Sequence, residues 1–281
     1  MEVVNNQTFD EERALYNIKN TKVENCKFMG PADGESVLKE CRNIQVINSD
    51  FSLRYPIWHA EGFTLDNISM DELTRAPIWY SSDGNILNSK IHGIKAIREC
   101  NNINIYFSDI ASKEFGWFSK NIKIINSKID AEYLFMKTDD VICDNIKMSG
   151  KYSFQYMNNL HIKNSYLDTK DAFWHSNNIL VEDSVVKGEY LAWFSNNLTL
   201  VRCKIIGTQP LCYCKNLKLI DCEMIDTDLS FEYSDVEATI IGNVQSIKNP
   251  KSGSITVDSV DEIIMDDQVY ECKGKVIIRN K

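Results

Sequence analysis

A 19-residue period runs through most of this chain, and it leaves few folds open. The repeating unit is Asn-apolar-x-apolar-x-Asn-Ser-x-apolar, as in Asn121-Ile122-Lys123-Ile124-Ile125-Asn126-Ser127-Lys128-Ile129. It returns, one period at a time, from Asp140 to Met148, from Asn159 to Leu167 and from Asn178 to Val186. A period of this length is one supersecondary unit, which buries its apolar face only by stacking on copies of itself.

Set in register, the repeats become columns. The second Asn column is Asn48, Asn67, Asn88, Phe107, Asn126, Asn145, Asn164, Asp183, Arg202 and Asp221, and every step from position 88 onward is 19. Two and four residues upstream lie apolar columns (Ile124, Ile162 and Val181; Ile122, Leu160 and Ile179) separated by polar residues such as Lys123 and His161. Alternation over so short a run marks a strand with one face inside. After the Asn, a small Ser or Cys and then an apolar residue begin a second inward run (Ser127 and Ile129, Ser165 and Leu167, Cys203 and Ile205), and Gly93, Gly150, Gly188 and Gly207 mark a turn in register. Two short strands, turns and a third apolar segment in each period predict one coil of an all-β, single-stranded parallel β-helix, its coils stacked about 4.8 Å apart. The first Asn column (Asn121, Asn159, Asn178, Asn197, Asn216) fits tight corners, because Asn tolerates left-handed backbone and its amides can bond from coil to coil.

One continuous repeat predicts a single domain over residues 1–281: an N-terminal cap at 1–20, regular coils at 21–233, and irregular coils with a C-terminal cap at 234–281. Thr8 to Tyr16 reads as a short helix with Thr8 as its N-cap. Beyond Ser234 strand-like runs persist, as in Ala238 to Ile241 and Ser254 to Val257.

The net charge is −9 and the isoelectric point about 5.1, with Lys interleaved among Asp and Glu. No basic stripe suggests nucleic acid, and no apolar run approaches membrane length. The start, Met1 to Gln7, lacks the basic and apolar regions of a signal peptide. Cys143, Cys203 and Cys222, three of nine cysteines, fall in inward columns, which suits free thiols in a reducing compartment. We therefore expect a cytoplasmic protein. Cys212 and Cys214 lack a second pair at matching spacing and there are four His, so neither a metal nor a cofactor is expected.

The third segment of each coil is unusual. One column reads Trp58, Trp79, Arg98, Trp117, Met136, Gln155, Trp174, Trp193; the column before it contains Phe135, Phe154 and Phe173; the column after it contains His59, Tyr80, Phe118, Tyr156, His175, Phe194 and Tyr213. Consecutive strand residues point to opposite sides, so both sides are expected to be aromatic and covered. Three covers compete: a second copy of the chain, a terminal segment, or a ligand. Tyr156, Phe173, Trp174, Tyr190, Trp193, Phe194 and Tyr213 are the candidate binding or interface residues. Aromatic rows suit sugar rings and protein interfaces alike. Asp171, His175 and Glu232 are the candidate catalytic groups, placed to do acid–base work on a glycoside if they share a cleft.

The segments Gly34 to Glu40, Tyr55-Pro56-Ile57-Trp58, Arg75 to Tyr80, Lys170-Asp171-Ala172-Phe173-Trp174, Gly188 to Trp193, Leu211-Cys212-Tyr213 and Phe231 to Ser234 resemble an uncharacterised bacterial family. It is a domain-of-unknown-function family grouped with pectate-lyase-like right-handed β-helices. The resemblance implies a right-handed helix and supplies no catalytic residue. The Asp-Asp and Gly-His-Gly motifs of polygalacturonases are missing, and Asp139-Asp140 falls at a corner. Two functions follow as expectations. One is a binding or self-associating scaffold, dimeric through the aromatic face, with a carbohydrate-like molecule as its other candidate ligand. The alternative is a carbohydrate-active lyase, hydrolase or isomerase.

Overall fold

The alternating runs become strands wherever they occur. In the computed structural model, which describes residues 1–30 and 36–279, the chain divides into two units, 1–142 and 143–281. Each is a right-handed parallel β-helix. In the second unit the strands Asn158–Lys163, Asn177–Glu182 and Asn196–Val201 pair in parallel, with Leu160 beside Ile179 beside Leu198 and Ile162 beside Val181 beside Leu200. All six side chains are buried. The first unit repeats this with Arg42–Ile47, Glu61–Asp66, Ser82–Leu87 and Asn101–Tyr106. Gly84 interrupts the apolar column there because the ring of Phe63, one coil away, occupies the space its Cβ would need.

The corners behave as the Asn columns predict. Every residue of the second Asn column has φ near +50°, including Phe107 at 51° and Arg202 at 50°. In the first column Asn159, Asn178, Asn197 and Asn216 are also left-handed, and their amides form a chain, each Nδ2 donating to the Oδ1 one coil back at 3.1, 3.0 and 2.7 Å. The Ser column closes a corner in a second way. The backbone N–H of Ile146 donates to Ser165 Oγ at 3.1 Å and that of Ser165 to Ser184 Oγ at 3.0 Å. A second such column, at Ser176 and Ser234, takes the N–H groups of Met157 and Cys214. Buried backbone donors are thus satisfied where the chain turns.

Residues 1–20 depart from the helical cap expected of them. Glu2–Asn5 and Thr8–Phe9 are strands, with Glu2–Asn5 pairing to Lys19–Glu24, so Thr8 is a strand residue and not an N-cap. The period was hidden here because the next step, from Asn25 to Asn48, is longer than 19 residues; both Asn6 and Asn25 hold the left-handed corner. Gly34 and Glu35 lie outside the described residues. At the other end the strands lengthen, to 14 and 13 residues. Asp235–Lys248 and Ser252–Ile264 pair in parallel with a register shift between Ile240 and Asn243, which is why the repeat loosens after Ser234.

Eight of the nine cysteines are buried and Cys272 is half-buried. Burial pushes the Cys41 thiol up to about 11 and those of Cys100, Cys143 and Cys214 to about 12. Among the described residues no helix is long and apolar enough to cross a membrane.

Candidate functional site

The third segment is not a strand of the ordinary kind. In the second unit every other residue there is left-handed: Asp171, Phe173 and His175 at 53°, 63° and 54°, then Tyr190, Ala192 and Phe194 at 56°, 63° and 61°, then Gln209, Leu211 and Tyr213. Non-Gly residues pay sterically for this conformation, and inter-coil hydrogen bonds hold it. The outer two residues donate to the following coil, Asp171 N–H to Glu189 O and His175 N–H to Trp193 O. The middle one donates backward, Phe173 N–H to Ser153 O.

This backbone breaks the inside–outside alternation expected of the three aromatic columns. Only the first column is inside: Phe154 and Phe173 are buried and stacked, ring centroids 5.3 Å apart. The Trp column and the column after it both lie outside the core, because left-handed backbone at alternate residues, Phe173 and His175 among them, removes the pleat that sends consecutive side chains to opposite sides. Phe173 is therefore a core residue and leaves the set of surface candidates.

The Trp residues carry a structural task. Trp174 Nε1 donates to Tyr190 O at 2.6 Å and Trp193 Nε1 to Gln209 O at 2.8 Å, each reaching the left-handed residue that opens the next turn. Gln155 stands where a Trp stands in other coils, and its Nε2 makes the equivalent bond to Asp171 O at 2.8 Å. Trp58, Trp79 and Trp117 of the first unit donate in the same way to Ala76, Lys95 and Tyr133. The indoles lie flat on one another, Trp174 on Trp193 at 5.6 Å and 6°. Tyr190 packs edge-on against Trp193 at 5.6 Å.

Outside them runs a second ladder, Tyr156, His175, Phe194 and Tyr213. Successive centroids are 5.1, 5.0 and 4.8 Å apart and successive planes tilt by 9°, 5° and 16°. Tyr156 and Phe194 are 46% and 45% exposed. Each inner ring has both faces covered by its neighbours, so what meets solvent is a row of ring edges. Beyond Tyr213 the ladder fans open. Tyr233 tilts 43° from Tyr213, Tyr270 meets Tyr233 edge-on at 5.1 Å, and the segment carrying Tyr270 is tied down by Val269 N–H donating to Tyr233 Oη at 3.1 Å.

The acidic candidates are held apart. Asp171 is buried, with Lys170 Nζ at 4.0 Å, and burial pushes its carboxyl above the usual range. His175 is the ring sandwiched between Tyr156 and Phe194. Glu232 pairs with Lys248 at 3.1 Å, a contact that raises the lysine. Among the described residues no hydrogen bond, ion pair or ring contact joins any two of Asp171, His175 and Glu232. Also among the described residues, no three His, Cys, Asp or Glu gather where a metal ion would be held. Sequence reasoning missed Tyr233 and Tyr270. Tyr233 lies one residue beyond the aromatic column because the step into its coil is 20, and Tyr270 lies where no repeat points.

A family model described as "Protein of unknown function (DUF3737)" matches residues 2–278. Among curated proteins none matches the sequence. Similar solved structures include the mannuronan C-5 epimerase AlgE6 A-module of Azotobacter vinelandii, 11% identical, with TM-score 0.42, covering 99% of this chain and 89% of that one. Another is PfbA, a surface adhesin of Streptococcus pneumoniae, 9% identical, with TM-score 0.40, covering 83% and 70%.

Proposed function

The chain belongs to that family of unknown function, and we propose that it is a binding scaffold that associates with a second copy of itself through the outer aromatic ladder of the second unit. The supporting observation is the orientation of the rings. A sugar stacks on an aromatic face, and here the faces of His175 and Phe194 are taken by their neighbours. The exposed edges form a narrow aromatic strip about 15 Å long at strand spacing. Such a strip suits the desolvated centre of a protein interface, where aromatic anchors sit inside a polar rim. The rim is at hand in Asn158, Asn177 and Lys215, all polar and beside the strip in sequence. The separate partners of Asp171, His175 and Glu232 favour a scaffold over a lyase, hydrolase or isomerase. We also propose the cytoplasm as its setting, supported by eight buried thiols that suit a reducing compartment.

Light scattering tests the reading. The expected mass is twice that of the 32.3 kDa chain, falling to one chain in Tyr156→Asp/Phe194→Asp with an unchanged circular dichroism spectrum. A wild-type monomer, or a variant that stays dimeric, refutes it.

A further inference from the structure

Where the ladder fans open it leaves a pocket of about 180 Å³. Its walls are the rings of Phe194, Tyr213, Tyr233 and Tyr270, and Lys215, Lys251 and Asp235 stand at its margin. We infer that this pocket binds a small aromatic carboxylate, one six-membered ring with one negative charge. The inference goes beyond the self-association reading and shares Phe194, Tyr213 and Lys215 with it.

Size comes first. Drug-sized ligands occupy pockets of roughly 300–1,000 Å³, so this one holds about a single ring. The walls come next. The tilt of 43° between Tyr213 and Tyr233 and the edge-on approach of Tyr270 replace regular stacking with a slot lined by ring surface, which a flat ring fills by offset or edge-to-face contact. Charge sets the third condition. Among the described residues neither the Lys215 nor the Lys251 ammonium group forms an ion pair or hydrogen bond, whereas Asp235 already accepts from Ser252 Oγ at 2.6 Å. Two unpaired ammonium groups against one engaged carboxylate favour an anion, and a carboxylate between them makes charge-assisted hydrogen bonds.

Hydrogen-bonding capacity decides between an aromatic acid and a sugar acid. A sugar ring brings several hydroxyls, each of which costs free energy if it leaves water without a partner. Tyr233 Oη is already occupied, accepting from Val269 N–H and donating to Asp267 O. Beyond the two lysines, the uncommitted side-chain groups of the lining, among the described residues, are the Tyr213 and Tyr270 hydroxyls and the second carboxylate oxygen of Asp235. These groups fall short of what the hydroxyls and ring oxygen of a sugar acid need, while the four ring walls suit a flat aromatic ring.

Titration calorimetry on the full chain decides, using sodium benzoate, benzyl alcohol and sodium glucuronate. Benzoate is expected to bind saturably below about 10 mM, as one buried ring with a charge-assisted contact should. Benzyl alcohol, with the ring but no charge, should bind at least tenfold more weakly, and Lys215→Ala/Lys251→Ala should weaken benzoate at least tenfold with an unchanged melting temperature. Featureless benzoate heats, equal binding of benzyl alcohol, tighter binding of glucuronate, or an unaffected double variant would each overturn the inference. If the variant fails to fold, the wild-type comparison of benzoate with benzyl alcohol still decides. Light scattering on the same samples keeps failure of self-association distinct from failure of the pocket.

Discussion

At the scale of single residues, the third face separates side chains that hold the fold from those that meet solvent. Trp174 belongs to the first group through its indole N–H, which satisfies the carbonyl of a left-handed residue one coil away. Trp174→Phe keeps a stacking ring but strips Tyr190 O of that donor, so a loss of about 1 kcal/mol is expected in a urea titration. Asp171 should behave in the opposite sense. Burial raises its folded pKa above the unfolded value, so folding favours the protonated carboxyl. Its contribution is most favourable below the unfolded pKa and is lost as pH rises through the raised folded one. Asp171→Asn keeps a residue suited to the left-handed backbone and removes the charge. It should therefore stabilise the protein at pH 7, with the gain shrinking in acid; melting temperatures measured from pH 3 to pH 8 would show it.

At the scale of the coil, stability rests on corners as much as on the apolar columns. Asn178 holds φ at 57° and bonds to Asn159 and Asn197. Asn178→Ala should cost about 2 kcal/mol, since it loses the amide chain and leaves a Cβ in a left-handed conformation, itself worth about 1–2 kcal/mol. Asn178→Gly should recover part of that loss, because glycine enters the region freely; equal losses in denaturant titrations would mean that the amide chain alone matters. These corners were legible in the sequence because one residue type does the work in coil after coil. The strands were legible for the same reason, since Ile122, Leu160 and Ile179 recur at a fixed offset. The third segment was not. Its residues read as a near-continuous apolar run, and side-chain chemistry does not announce that Phe173 and His175 take left-handed backbone. Rules for a pleated strand therefore put Trp174 and His175 on opposite faces with nothing to contradict them. Tyr270 escaped for a different reason: its contact with Tyr233 spans 37 residues outside any repeat, and only folding brings the two rings together.

At the scale of the whole molecule, stacking decides how chemistry reaches the interior. The buried thiols should be closed to reagents until the coils open, and burial holds most of them far above neutral pH in the protonated form. A thiol-exchange reagent at pH 8 should therefore modify about one cysteine of the native protein, Cys272, slowly and faster as pH rises, because burial lifts that thiol too. All nine should react in denaturant; early modification of several would show that the coils breathe locally. The same register limits how such a chain changes length. A coil in place carries its own corner, its own ladder rungs and its own share of core, so residues are gained or lost without penalty only in packets of about nineteen, or as extra length inside a turn. The step of 21 from Asn67 to Asn88 is of the second kind, its surplus lying around the exposed Leu73 and even in number, so inward residues stay inward. An odd insertion within a strand would exchange core for solvent along the rest of that strand. Inheritance in such a molecule is digital, with the coil as its smallest unit.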